Sequence, residues 1–242
     1  MTDLSEYQFA PKPTADRPLL GQTILVVEDS RHAGEAMRLM CMKGGARIRR
    51  ADCLKSASRH LVSYRPTVVI VDLGLPDGSG LGLIRQLATT TPRLAVILAV
   101  SGDPGLEQSA MDAGADGFVA KPFGTVAAFH AAILHLLPPE IRPNGPRPVM
   151  NTEVHPDQSA LRGDFALISH LLDPDADEAT LGYALGFARS LGRLVGDTEL
   201  ADAANQLERT LENRGAYRSD LSHLAAIAQN RVGAAGKVAI RG

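Results

Sequence analysis

The sequence predicts an α/β domain with a five-stranded parallel sheet, followed by a small all-α domain of four helices. Between residues 22 and 137, short β-branched runs alternate with amphipathic stretches of helix length. This alternation is typical of a doubly wound sheet with helices on both faces. After a proline-rich stretch, residues 159–233 show only the apolar spacing of helices, which favours a four-helix bundle.

The composition limits the classes of protein to consider. The chain has 242 residues, is 45% hydrophobic and carries a net charge of −2, which argues against an obligate polyanion binder. Its two cysteines, Cys41 and Cys53, make no disulfide framework, so we expect reduced thiols. The first twenty residues lack the apolar stretch of a signal peptide, and no apolar run is long enough to span a membrane. We therefore expect a soluble, cytoplasmic protein without a membrane partner.

Five runs predict the strands of the sheet, and a helix follows each of them. The runs Ile24–Val27 and Val68–Val71 are continuously apolar, as central strands buried on both faces should be. The second run contains three arginines, which predicts an edge strand. The predicted strands are 23–27, 46–50, 67–71, 94–100 and 117–120, and the predicted helices are 31–43, 53–63, 79–89, 105–113 and 124–137.

The remaining segments follow from prolines and helical periodicity. Residues 1–21 carry three prolines and no periodicity, which predicts a flexible tail. Residues 138–158 are rich in proline and predict a semi-rigid linker. The helical domain covers 159–233, and 234–242 is expected to be a C-terminal tail. The predicted helices of this domain are 160–173, 177–195, 198–213 and 219–232.

Polar side chains stand where four of the predicted strands end. Glu28 and Asp29 follow the first strand, Asp72 the third, Ser101 the fourth and Lys121 the fifth. The carboxyl ends of parallel strands meet at one edge, where such folds place their sites. Three carboxylates there would repel one another, and a hard cation such as Mg²⁺ would relieve that repulsion. The lysine and the serine hydroxyl would bind an anion beside the metal, so a carboxylate could attack a phosphoryl group.

Four motifs carry a specific resemblance: ILVVEDS (24–30), VDLGLPDGSG (71–80), AVSGD (99–103) and GFVAKPF (117–123). Together they resemble the receiver domain of bacterial two-component response regulators, a flavodoxin-like fold. The resemblance implies that Asp72 is phosphorylated by a sensor histidine kinase or a histidine-phosphotransfer protein. Such a domain catalyses only its own phosphorylation and dephosphorylation, so we expect no other enzyme activity.

The same resemblance implies the roles of the other site residues. Mg²⁺ would be held by Asp29, Asp72 and the Gly74 carbonyl, with Glu28 acting through water. Ser101 and Lys121 would contact the phosphoryl oxygens, and the Lys121–Pro122 peptide would be cis.

A conformational switch is also implied by the resemblance. Ser101 would move toward the phosphoryl group while Phe118 turns inward, although Phe118 could equally be a static core residue. The small Gly102 would leave the phosphate open to solvent.

The helical region resembles a histidine-phosphotransfer domain that has lost its chemistry. In GYALGFARSLG (182–192), Gly182 stands where that family has its phosphorylated histidine, and Leu185 where it has a lysine. Tyr183 and Phe187, one helical turn apart, could form an apolar docking patch or fill the bundle core.

These observations predict a response regulator that switches protein–protein interactions. Through its C-terminal helices it would form a homodimer or contact a receiver-binding partner. An active relay that uses an unorthodox histidine, such as His170, is one alternative. A transcription regulator is another. Nine basic against twelve acidic residues over 157–242, with no basic helix face, argue against nucleic-acid binding.

Overall fold

The computed structural model describes residues 12–143 and 152–238, which contain the predicted sheet and the predicted helical region. The strands of the five-stranded sheet are β1 (Thr23–Val27), β2 (Arg47–Ala51), β3 (Val68–Asp72), β6 (Val96–Ser101) and β7 (Gly117–Ala120). The sheet is parallel throughout, in the order β2-β1-β3-β6-β7, which confirms the doubly wound α/β fold. A small antiparallel hairpin, β4 (Gly74–Leu75) and β5 (Gly78–Ser79), follows β3.

Helices cover both faces of this sheet. They are α1 (Arg31–Lys43), α2 (Leu54–Ser63), α3 (Gly80–Ala88), α4 (Glu107–Asp112) and α5 (Val126–Leu136). Helices α1 and α5 pack on one face and α2, α3 and α4 on the other, and each face has its own apolar cluster. The central strands β1, β3 and β6 are buried almost throughout, whereas β2 alternates between exposed and half-buried residues at the edge, as its arginines predict.

The prediction of a flexible N-terminal tail is wrong for the last residues of that segment. Leu19 is fully buried in the cluster beneath α1 and α5, and its N–H donates a hydrogen bond of 2.7 Å to the Gly44 carbonyl. Burying one leucine side chain contributes about 2 kcal/mol, which is enough to hold this segment on the domain despite its loop-like composition. Residues 1–11 of the predicted tail lie outside the described residues.

The described ends of the predicted linker lie against the α/β domain. A 3-10 turn at Pro139–Ile141 follows α5, and Val154 packs on the cluster beneath α1 and α5. The Thr152 carbonyl accepts a hydrogen bond of 3.1 Å from the Val126 N–H at the start of α5. Linker residues 144–151 lie outside the described residues.

Four helices form the C-terminal domain: α6 (Gln158–Leu171), α7 (Glu178–Val195), α8 (Thr198–Glu212) and α9 (Arg218–Val238). Helix α6 packs on α7 and α9, and α8 also packs on α7 and α9, around one apolar core. The prediction of a C-terminal tail over 234–242 is wrong for residues 234–238, because α9 continues to Val238. Glycine costs a helix only about 1 kcal/mol, so Gly233 does not end it. Residues 239–242 are outside the described part of the chain.

None of the helices in the described ranges is both long enough and apolar enough to cross a bilayer.

Asp197 links two helices of this domain and yields a first prediction. Its carboxylate caps α8 by accepting from the Leu200 N–H, and it pairs with Arg231 of α9 at 2.7 Å. The hydrogen bond from Arg231 lowers the Asp197 pKa. We expect Asp197→Ala to lower the free energy of unfolding by about 1 kcal/mol at pH 7, measured by urea denaturation with circular dichroism.

The difference in unfolding free energy between wild type and Asp197→Ala should disappear at acid pH. A carboxyl whose pKa is lowered by folding stabilises the fold above its unfolded pKa of about 3.9, and this stabilisation is lost as pH falls through the folded pKa. Asp197→Asn keeps the cap and should lose less than Asp197→Ala at pH 7. An Asp197→Ala protein as stable as wild type at pH 7 would show that the cap contributes nothing.

Candidate functional site

The polar residues predicted at the strand ends meet in one pocket at the carboxyl edge of the sheet. Glu28 and Asp29 follow β1, Asp72 ends β3, Ser101 ends β6, and Lys121 follows β7. The parallel register places Asp72 beside Val100 and Ser101 beside Ala120, so the strands end at one level. All five side chains line a cavity of about 350 Å³.

Lys121 lies between two carboxylates. Its Nζ is 2.7 Å from Glu28 Oε2 and 3.0 Å from Asp72 Oδ1, and all three side chains are at most 7% exposed. Burial alone would lower the pKa of Lys121, but the charges of Asp72 and Glu28 outweigh burial and raise it. The amine is therefore protonated and orients the Asp72 carboxylate.

The pocket holds more negative charge than Lys121 can neutralise. Glu28, Asp29 and Asp72 each place a carboxylate oxygen within 4.8 Å of the others. Burial raises the pKa of Glu28, although Lys121 opposes it, and burial together with Asp72 raises the pKa of Asp29 to about 6. Closely spaced, incompletely neutralised carboxylates fit a hard divalent cation such as Mg²⁺.

Two glycines let the backbone pass close to Asp72. The Gly74 N–H donates a hydrogen bond of 3.3 Å to Asp72 Oδ2, and Gly74 lines the pocket. A Cβ on Gly80 would lie 2.0 Å from the Asp72 carbonyl oxygen, so only glycine fits there. The motif VDLGLPDGSG therefore shapes the turn around Asp72 as well as supplying it.

The two residues of the predicted switch lie on neighbouring strands. Ser101 is buried in the pocket, and its Oγ accepts a hydrogen bond of 3.0 Å from the Asp103 N–H. Phe118 is half-buried, pairs in register with Ala99, and packs on the cluster beneath α2, α3 and α4. The Lys121–Pro122 peptide is cis, as the resemblance implied.

Gly102 does not open the pocket to solvent, so that expectation is wrong. Helix α7 of the C-terminal domain covers this position, and Gly102 is buried. A Cβ on Gly102 would lie 2.7 Å from Ser190 Oγ and 2.9 Å from Ser190 Cα. The missing side chain serves the close approach of a helix rather than access of water.

Tyr183 and Phe187 of α7 both line the pocket beside the acidic residues. The Tyr183 hydroxyl donates a hydrogen bond of 2.5 Å to Asp29 Oδ2, and burial together with the charge of Asp29 raises the Tyr183 pKa. The Phe187 ring lies 5.9 Å from the Tyr183 ring and is buried. Their helical spacing indicates a shared face, but nothing local in the sequence shows which surface that face contacts.

Asp164, a buried residue of α6, lies outside the motifs that predict the pocket. It is 1% exposed and accepts hydrogen bonds from Ser30 Oγ and from the N–H groups of Arg31 and His32, at 2.8 to 3.0 Å. A signal was present, since Asp164 lies at helical spacing between Leu161 and Ile168 on an apolar face.

His170, the histidine of the relay alternative, is exposed on α6 and is not among the residues that line the pocket.

Comparison with known proteins assigns the α/β domain. Residues 24–133 match the family described as the response regulator receiver domain, and this part of the chain is therefore a response regulator receiver domain.

Two curated relatives from Escherichia coli strain K12 share part of their length with this chain. The KDP operon transcriptional regulatory protein KdpE is 33% identical over 101 residues, which are 42% of this chain and 45% of KdpE. The transcriptional regulatory protein PhoP is 33% identical over 101 residues, 41% of this chain and 45% of PhoP. The chain thus matches less than half the length of either relative.

Similar solved structures include a putative response regulator from Chloroflexus aurantiacus J-10-fl, with 24% identity and a TM-score of 0.45 over 48% of this chain and 96% of that one. The chemotaxis response regulator CheY4 of Vibrio cholerae has 20% identity and a TM-score of 0.45 over 48% and 98% of the two chains.

The closely spaced carboxylates of the pocket should lower the free energy of unfolding at neutral pH. The folded pKa of Asp29, about 6, lies above the unfolded value of about 3.9. This raised pKa destabilises the fold fully above pH 6, and the destabilisation is lost as the pH falls toward 4. We expect Asp29→Asn to raise the free energy of unfolding at pH 7.5, without divalent cations, by about 2–3 kcal/mol.

Thermal denaturation at pH 7.5 and pH 5 measures this effect. Wild type should gain stability relative to Asp29→Asn on acidification. Asp112→Asn removes an exposed carboxyl from the same domain and should behave like wild type. An Asp29→Asn protein less stable than wild type at pH 7.5 would contradict the prediction.

Proposed function

We propose that the chain is a response regulator in which Asp72 accepts a phosphoryl group from a sensor histidine kinase or a histidine-phosphotransfer protein. The observation that carries this proposal is the buried Lys121 ammonium 3.0 Å from Asp72 Oδ1. It holds the carboxylate in place and leaves Oδ2 with a long hydrogen bond from Gly74, so this oxygen is the available nucleophile.

The transfer requires one bond to form and one to break. An Asp72 oxygen attacks the donor's phosphorus, the phosphorus–nitrogen bond to the donor histidine breaks, and the imidazole leaves with the bonding electrons and takes up a proton. Asp72 becomes an acyl phosphate. The Lys121 ammonium and the Ser101 hydroxyl lie in the same cavity, where they would bind the phosphoryl oxygens and stabilise their charge.

Mg²⁺ is the proposed cofactor. Asp29, Asp72 and the Gly74 carbonyl would hold it, and Glu28 would act through water. The bound ion would supply positive charge to the phosphoryl oxygens. The close spacing of the three carboxylates supports this assignment.

The C-terminal helices provide the proposed output, a protein–protein interaction in the cytoplasm. Gly182 carries no side chain that could be phosphorylated, which favours a binding role over a relay through this position. Phosphorylation would act through Ser101 and Phe118 on the surrounding strands, and dimerisation through the helices is part of the same proposal.

Phosphorylation with a small donor tests Asp72. We expect wild type incubated with acetyl phosphate and Mg²⁺ to gain one phosphoryl group by intact-protein mass spectrometry, and Asp72→Asn to gain none. Lys121→Ala should slow the reaction roughly a hundredfold, because it removes a preorganised charge. Chelation of divalent cations should abolish the reaction.

Asp112→Asn is the matched control, because it removes an exposed carboxyl from the same domain and should react like wild type. Phosphorylation of Asp72→Asn at the wild-type rate would show that another residue accepts the group. A phosphohistidine at His170 would favour the relay alternative.

A further inference from the structure

The C-terminal domain is anchored to the receiver domain by a buried charge. Asp164 of α6 accepts hydrogen bonds from Ser30 Oγ and from the N–H groups of Arg31 and His32. These two N–H groups belong to the first turn of α1, whose terminus favours a negative charge. The carboxylate is fully hydrogen-bonded only while α6 lies against α1, so it specifies this docked arrangement.

Helix α7 supplies a second, independent set of contacts. Arg193 donates a hydrogen bond of 2.7 Å to the Gly102 carbonyl, and Ser190 packs where a side chain at 102 would be. Tyr183 bonds Asp29, and α7 also packs on β4. The contacts reach loops after β1, β3 and β6, which surround the phosphorylation pocket.

Docking places α7 over Asp72. Gly182 and Gly186 of α7 line the same cavity as Asp72, and a Cβ on either glycine would meet no atom within 4 Å. This cavity of about 350 Å³ has room for an ion or a phosphoryl group. A histidine on another protein, however, must be brought against Asp72 by its own backbone, and α7 already occupies that approach. Tyr183 in addition engages an oxygen of Asp29, a proposed metal ligand.

We infer that the C-terminal domain is an internal competitor of the phosphodonor, docked over the pocket in the closed state and released when the pocket takes up metal and phosphoryl group. This inference rests on the proposed function of Asp72. Ligands that need the Asp29 oxygen held by Tyr183 bind the open state more tightly. By thermodynamic linkage they weaken docking by the same factor by which docking weakens them. The α7 surface formed by Tyr183, Phe187, Ser190 and Arg193 is then a receiver-binding surface that is occupied by the receiver of the same chain.

The test uses the full chain with Mg²⁺ and beryllofluoride, a mimic of the phosphoryl group. Hydrogen exchange measured by mass spectrometry should increase about tenfold on saturation in residues 178–190 of α7 and at the start of α1. The increase should be absent in Asp72→Asn, which lacks the acceptor carboxylate.

Affinity for beryllofluoride, followed by fluorine NMR, gives the reciprocal measurement. Asp164→Arg places a cation beside Arg31 and the start of α1, so it should open the chain and bind beryllofluoride about tenfold more tightly than wild type. Asp202→Arg changes the net charge equally at an exposed site on α8 and should bind like wild type. Arg193→Ala removes a different contact of the same interface and should shift affinity in the same direction.

The outcomes separate the two proposals. Equal affinities in wild type, Asp164→Arg and Arg193→Ala, with unchanged exchange in α7, would overturn the competition and leave phosphorylation of Asp72 intact. Helix α7 would then be a fixed wall of the pocket. Failure of wild type and of both opened variants to bind beryllofluoride would overturn the proposed function, and with it the coupling.

Discussion

A cluster of three carboxylates, two of them buried against one ammonium group, is the constraint on which the rest of this structure depends. Lys121 contacts Glu28 and Asp72 directly, while Asp29 accepts a hydrogen bond from the neutral Tyr183 hydroxyl. Folding keeps these charges together because the apolar strands behind them are fully buried, and their parallel register fixes where each strand ends. A site of this kind opposes stability and is retained for binding, because an incoming cation or anion finds its partners already positioned.

The sequence was most informative where local chemistry decides the structure. The apolar runs of β1 and β3, the arginines of β2 and the polar residues at the ends of four strands specify the sheet, its edge and members of its pocket. Local patterns failed where long-range packing decides. Leu19 lies in a proline-rich stretch but fills the receiver core, and Gly233 does not stop α9.

The contact between the two domains was not predictable for the same physical reason. Helical periodicity identifies Tyr183 and Phe187 as one face of α7, but the same pattern fits a bundle core, a dimer interface or another domain. Gly102 shows the ambiguity of a small residue: it suits exposure to water as well as the close approach of a helix, and only the position of Ser190 distinguishes the two. A buried aspartate on an apolar helix face, such as Asp164, is the kind of residue that can indicate such a contact in advance, because an unpartnered charge there would be costly.

The tether between the domains has a consequence for how the protein would respond in a cell. Both described ends of the linker are held on the receiver, at the turn after α5 and at Thr152 and Val154. The competing helix is therefore present at a fixed effective concentration, set by the length of the connection, whatever the amount of protein. A donor protein must exceed this fixed threshold, so the sensitivity of the response would be a property of the molecule and would not drift with its expression level.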